Sequence, residues 1–127
     1  MNPLLRTASV GAALALLFCL TAWGEEAPAV PRLVDLGASR CIPCKMMVPV
    51  LEALKQEYSG RMRVEFIDVW KDPDAGKKYG IQIIPTQIFY DAKGKELFRH
   101  EGYFAKEDIL AKWKQLGVEF PPTQGKL

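Results

Sequence analysis

Histidine and cysteine are scarce in this chain. Of its 127 residues one is histidine, His100, and three are cysteine, Cys19, Cys41 and Cys44. A zinc centre needs about four nitrogen or sulfur ligands, so a metal site is excluded, and three cysteines cannot staple a disulfide scaffold. An excess of either charge is also missing, with 17 lysines and arginines against 15 acids. No basic field invites nucleic acid and no acidic field suggests a metal buffer. Internal repeats are absent. Even the longest apolar stretch, Thr7–Trp23, has only 17 residues, the lower limit for crossing a hydrocarbon core of about 30 Å. What remains is one domain in which 49% of residues are apolar, enough for a modest core.

The N-terminus has the pattern of a targeting segment. Arg6 supplies a short positive region, Val10 to Leu20 is an almost unbroken apolar run, and Ala22-Trp23-Gly24 offers the small residues that a signal peptidase reads. Residues 1–24 are therefore expected to be a signal peptide cleaved after Gly24, an uncleaved anchor being the alternative. Cys19 follows Leu17 and Phe18, where lipid attachment asks for small residues, so it reads as one more apolar residue of that run. The mature protein then works outside the cytoplasm, periplasmic or secreted. Its parts are a proline-bearing lead-in over 25–31, a domain over 32–117 and a flexible tail over 118–127.

Within the domain, Leu33 to Gly37 is too apolar for an exposed segment and reads as a buried strand. A helical pattern runs from Cys41 to about Tyr58, with Met46, Met47, Val50, Leu51 and Leu54 as its core stripe. Pro43 is tolerated in its first turn, whereas Pro49 is expected to bend it. Arg61 to Val69 alternates as a strand, with Met62, Val64 and Phe66 on one side. Ala75 to Tyr79 is a short helix. Thr86 to Tyr90 and Glu96 to Arg99 are strands joined by a hairpin connection, and Ile109, Leu110, Trp113 and Leu116 mark a last amphipathic helix. A βαβ unit followed by ββα implies a parallel first pair and an antiparallel last pair. The fold class is α/β: a mixed sheet of about four strands with helices on both faces.

Cys41-Ile42-Pro43-Cys44 lies where the first strand turns into the first helix. A C-x-x-C there sets two sulfurs within bonding reach and puts the first at a helix N-terminus. Unpaired N–H groups and the helix dipole stabilise a thiolate at that position. Cys41 becomes a nucleophile and Cys44 its resolving partner. Lys45 rather than histidine follows Cys44, which excludes a c-type haem site, and no cofactor is implied. A purely structural disulfide closing so short a loop would constrain the unfolded chain little. Arg40 beside Cys41 adds positive charge that favours the thiolate. Asp35, an acid in the middle of an apolar strand, is expected to be buried with a raised pKa.

From Leu33 to about Leu116 the chain resembles the thioredoxin family. Val34-Asp35 followed by Cys41-Ile42-Pro43-Cys44-Lys45-Met46 is similar to the family's strand and active-site turn. Tyr79-Gly80-Ile81 with Ile84-Pro85-Thr86 is similar to the loop that carries its cis-proline. The resemblance implies a thioredoxin-like fold, here without the usual first strand and helix. It makes Cys41–Cys44 a redox-active disulfide and Asp35 the general base for Cys44. It also implies that Pro85 keeps metals off the thiols and sets the Ile84 backbone beside Cys41, where an extended substrate can pair with it. The departures are Arg40 and Gly37 where tryptophans are common, Ile42 where glycine is usual, and Phe66 where a lysine often neighbours the aspartate. Trp70 is expected to fill the space left at Gly37. Arg40, Ile42, Pro43, Ile84, Pro85 and Trp70 are thus the candidate substrate-contacting residues, and His100 reads as a surface strand residue.

With neither charge nor histidine between the cysteines, only the helix end and Arg40 hold the thiolate. This favours a potential toward thioredoxin's, about −270 mV, over the oxidant end near −120 mV. A monomeric reductase of disulfide-bonded exported proteins, apocytochromes awaiting haem among them, is expected, resupplied by a membrane electron-transfer protein because its compartment is oxidising. The alternatives are a disulfide oxidase or isomerase, and a peptide-binding module without turnover.

Overall fold

The computed structural model describes residues 28–121, so the expected signal peptide and residues 122–127 lie outside the described residues. Seven elements follow one another in the described chain: β1 (Arg32–Gly37), α1 (Ile42–Glu57), β2 (Arg63–Asp68), α2 (Pro73–Lys78), β3 (Thr86–Tyr90), β4 (Glu96–Glu101) and α3 (Lys106–Gln115). The strands form one sheet in the order β2-β1-β3-β4. β1 and β2, joined through α1, are parallel. β1 with β3, and β3 with β4, are antiparallel.

β1 is buried from Leu33 to Gly37 because both faces of the sheet are covered there, which is why its sequence, Asp35 apart, is apolar on both faces rather than alternating. Leu33 points to the larger core, among Met47, Leu51 and Leu54 of α1, Phe89 of β3, and Ile109 and Trp113 of α3. Val34 and Leu36 point the other way and meet Ile88, with Tyr79 and Ile81 packed over them just after α2. The aromatic centre of the larger core is tight, with the Phe89 and Trp113 rings 4.7 Å apart.

On α1 the buried stripe is Cys44, Met47, Leu51 and Leu54, at steps of three, four and three. Met46, expected on that stripe, instead lies 50% exposed, one position round the helix. The helix runs on through Pro49, which is exposed and removes one backbone rung without ending it.

The flexible tail expected from residue 118 begins too early. Gly117, at φ 76°, turns the chain so that the Val118 N–H bonds the Trp113 carbonyl at 3.0 Å. Val118 and Phe120 then pack on the larger core, Phe120 with its ring 5.2 Å from Tyr58 and 5.8 Å from Trp113. Val118 and Phe120, both just after this turn, hold the segment that follows α3 against the core.

Candidate active site

Cys41 is the N-cap of α1, so the helix begins one residue later than its sequence pattern suggests. Its Sγ accepts the Cys44 backbone N–H at 3.3 Å, the role that an oxygen side chain usually plays at this position. Cys41 and Cys44 are joined by a disulfide with their Cα atoms 5.2 Å apart, a span that suits the bond. Their environments differ sharply: Cys41 is partly exposed, whereas Cys44 is 2% exposed beneath the first turn. Ile42, 74% exposed, and Pro43 face solvent between them. An attacking partner therefore reaches Cys41 and not Cys44.

The space beside the disulfide is filled differently from expectation. A Cβ on Gly37 would lie 3.0 Å from the Phe66 ring, 3.2 Å from Cys44 Cβ and 3.3 Å from Cys44 Sγ. Phe66, reaching across from β2, occupies the place expected for Trp70. Trp70 is instead 54% exposed, with the Arg40 guanidinium 5.9 Å from its ring centre. Its backbone N–H is held by Asp68 Oδ1, which caps the turn after β2 and presents the indole outward. Trp70 and Ile84 line one cavity of about 360 Å³, together with Val69, Pro73 and Ile81. Arg40, Trp70 and Ile84 are thus gathered at the Cys41 end of the sheet. The Ile84–Pro85 bond is cis, Pro85 is buried and Ile84 partly exposed.

Asp35 is fully buried on β1, two residues before Gly37 and so on the same face as Cys44. Its carboxyl is pushed up from 3.8 to about 6, because burial strips water from the charged form more than the Gln87 hydrogen bond restores. Gln87 Nε2 donates to Asp35 Oδ1 at 2.7 Å, whereas Oδ2 has no hydrogen-bond partner among the described residues. His100, expected as a surface strand residue, does lie on β4 but is half-buried: its Nδ1 lies 3.0 Å from Gln87 Oε1, and its ring stacks on Phe104 at 3.9 Å. Gln87 was missed altogether. The available signal was its place two residues before Phe89 on this strand, which puts an uncharged amide on the core face.

The family model for thioredoxin matches residues 24–115, well over half of the chain. The chain belongs to the thioredoxin family. A thioredoxin of Thiocapsa roseopersicina is 45% identical over 56 residues, 44% of this chain and 62% of that protein, so the match spans less than two thirds of that relative. One from Acidithiobacillus ferridurans is 37% identical over 81 residues, covering 64% of this chain and 74% of its own. Among solved structures, chloroplastic thioredoxin z superposes with a TM-score of 0.63 at 30% identity, over 70% of this chain and 80% of the other. A malarial protein superposes at 0.65 over 70% of this chain and 99% of its own, and at 22% identity it supports the fold alone.

The thioredoxin-like fold and the C-x-x-C pair together make this a disulfide oxidoreductase of that family. A thiol pair closing within one helical turn hands over two electrons and two protons as it becomes a disulfide. The described chain supplies the means: one accessible sulfur on a helix tip, one shielded sulfur, and a buried carboxyl on the face of the sheet beneath.

Proposed function

We propose that the protein reduces disulfides of exported proteins outside the cytoplasm. The observation that carries this reading is the seat of Cys41. Its sulfur is held by a helix end and one N–H, with uncharged Ile42 and Pro43 beside it. Such a thiolate is stabilised moderately, which keeps the dithiol willing to give up its electrons. The leader pattern over residues 1–24 supports the location, and an oxidising compartment makes a membrane electron-carrying partner necessary.

The exchange proceeds in two displacements. The Cys41 thiolate attacks one sulfur of the client disulfide; a mixed disulfide forms and the client's other sulfur leaves as a thiolate, which takes a proton from solvent. Cys44 then gives its proton to the Asp35 carboxylate and attacks Cys41 Sγ. The Cys41–Cys44 bond forms, the mixed disulfide breaks, and the client's second sulfur leaves reduced, drawing its proton ultimately from Asp35. The client gains two electrons and two protons. Exposed Ile42, Trp70 and Ile83 around Cys41 offer an apolar rest for an extended client segment, which the Ile84 backbone can pair as an added strand.

Equilibration with glutathione tests the direction. A potential near −270 mV is expected, and one above about −180 mV would favour the oxidase or isomerase reading, to which Arg40 lends its charge. Insulin reduction with dithiothreitol tests turnover: no acceleration would leave only peptide binding.

A further inference from the structure

Asp35, Gln87 and His100 stand in one row across three strands. Asp35 of β1 is in register with Gln87 of β3, and Gln87 with His100 of β4. We propose that Gln87 and His100 are positioning residues that keep one Asp35 oxygen occupied and leave the other as the sole acceptor of the Cys44 proton. The proposal rests on the disulfide-exchange reading for the meaning of that proton, but not for the existence of the row.

A buried amide can face either way, and its neighbours decide which. With a proton on His100 Nδ1, the imidazole donates to Gln87 Oε1 at 3.0 Å and turns Nε2 toward Asp35 Oδ1 at 2.7 Å. The reverse orientation would set the amide oxygen against a carboxylate oxygen, two acceptors without a proton between them. The imidazole is itself fixed. It stacks on Phe104 with planes 14° apart, and the Phe104 N–H points to Met47 Sδ of α1 at 3.3 Å. The row is thus anchored on the same helix that carries Cys44.

Among the described residues nothing charged competes with it. Phe66 opposes Asp35 from β2, Cys44 and Met47 face this side of the sheet from α1, and Ile109 and Trp113 from α3. On β4, Arg99 and Glu101 alternate to the opposite face from His100. Asp35 Oδ2, buried and without a hydrogen-bond partner among the described residues, is then the carboxyl oxygen left open to an incoming proton.

The experiment is heteronuclear NMR on the oxidised protein, with aspartate labelled at its carboxyl carbon and histidine at its ring nitrogens. In the wild type the neutral imidazole is expected to carry its proton on Nδ1; a proton found only on Nε2 overturns the proposal without any variant. Gln87→Leu should move the Asp35 titration midpoint up by roughly one pH unit or more, since a hydrogen bond to a charged group is lost. His100→Phe, which keeps the stacking but not the donor, should move it the same way, and His100→Asn should restore it. The rising acid limb of the pH profile for resolving a mixed disulfide should follow these midpoints. An Asp35 midpoint unmoved in His100→Phe refutes the positioning role and leaves the exchange reading intact. A wild type inactive in exchange, with the row behaving as described, refutes the exchange reading instead.

Discussion

The two cysteines differ in access more than in chemistry, and that difference assigns their roles. Cys41 sits partly exposed on the helix tip, while Cys44 lies beneath it at 2% exposure. A Cys44→Ser variant should therefore accumulate mixed disulfides on Cys41, visible as adducts resistant to non-reducing electrophoresis. Cys41→Ser should trap little, and equal trapping would reverse the assignment. Asp35 makes a prediction about stability. Its native carboxyl titrates near 6 against 3.8 when free, so the folded state holds a proton that the unfolded state has released between those values. Folding is favoured at acid pH and loses that advantage as pH rises through about 6. Asp35→Asn keeps the acceptor for Gln87 and removes the charge. It should be more stable than the wild type at pH 8, by up to roughly 2–3 kcal/mol in urea denaturation, with the gain gone below about pH 4.

The element that matters most is the first turn of α1 and its fit against β1. Gly37 lets the strand approach until a Cβ would sit 3.2 Å from Cys44 Cβ, an atom fixed to the helix backbone. Gly37→Ala should cost roughly 1–3 kcal/mol through overpacking. Adding Phe66→Ala relieves only the ring contact, so the double variant should stay below Phe66→Ala alone in thermal unfolding. On the proposed reading, the same turn also tunes the potential. With Ile42 replaced by histidine, a cation would stand beside the thiolate and stabilise the reduced pair. Ile42→His should raise the potential by about 30 mV or more in glutathione equilibration, each 1.4 kcal/mol being worth that much for two electrons. A lower or unchanged potential would mean that the helix end alone governs Cys41.

Across the whole molecule, the sheet carries the site on one end while the core beneath is closed by a chain end that looked expendable. Phe120 packs between Tyr58 and Trp113, so Phe120→Ala should lower stability by about 1–2 kcal/mol without altering exchange at the distant disulfide, measured by thermal unfolding and insulin reduction together. Much of this molecule was legible beforehand. Apolar patterning marked β1, β2, α1 and α3, because each buries one face or two against a core, while turn and stop residues marked α2 and the β3–β4 hairpin. The strand-to-helix position of the Cys41–Cys44 pair was legible too, and Cys41 does cap the helix and bond to Cys44. Side chains that meet only through strand register stayed hidden. Gln87 and His100 are 13 residues apart, and Gln87 and Asp35 are 52, so nothing local links them. Phe66 rather than Trp70 fills the gap at Gly37 for a similar reason: β2 runs parallel beside β1 and delivers Phe66 opposite Asp35, whereas the Asp68 turn swings Trp70 out to solvent. By itself the amino-acid order determined the elements, the redox pair and the buried acid, since short-range periodicity and capping specify them. Only tertiary packing decided what surrounds that acid, since residues distant in the chain become neighbours through strand pairing alone.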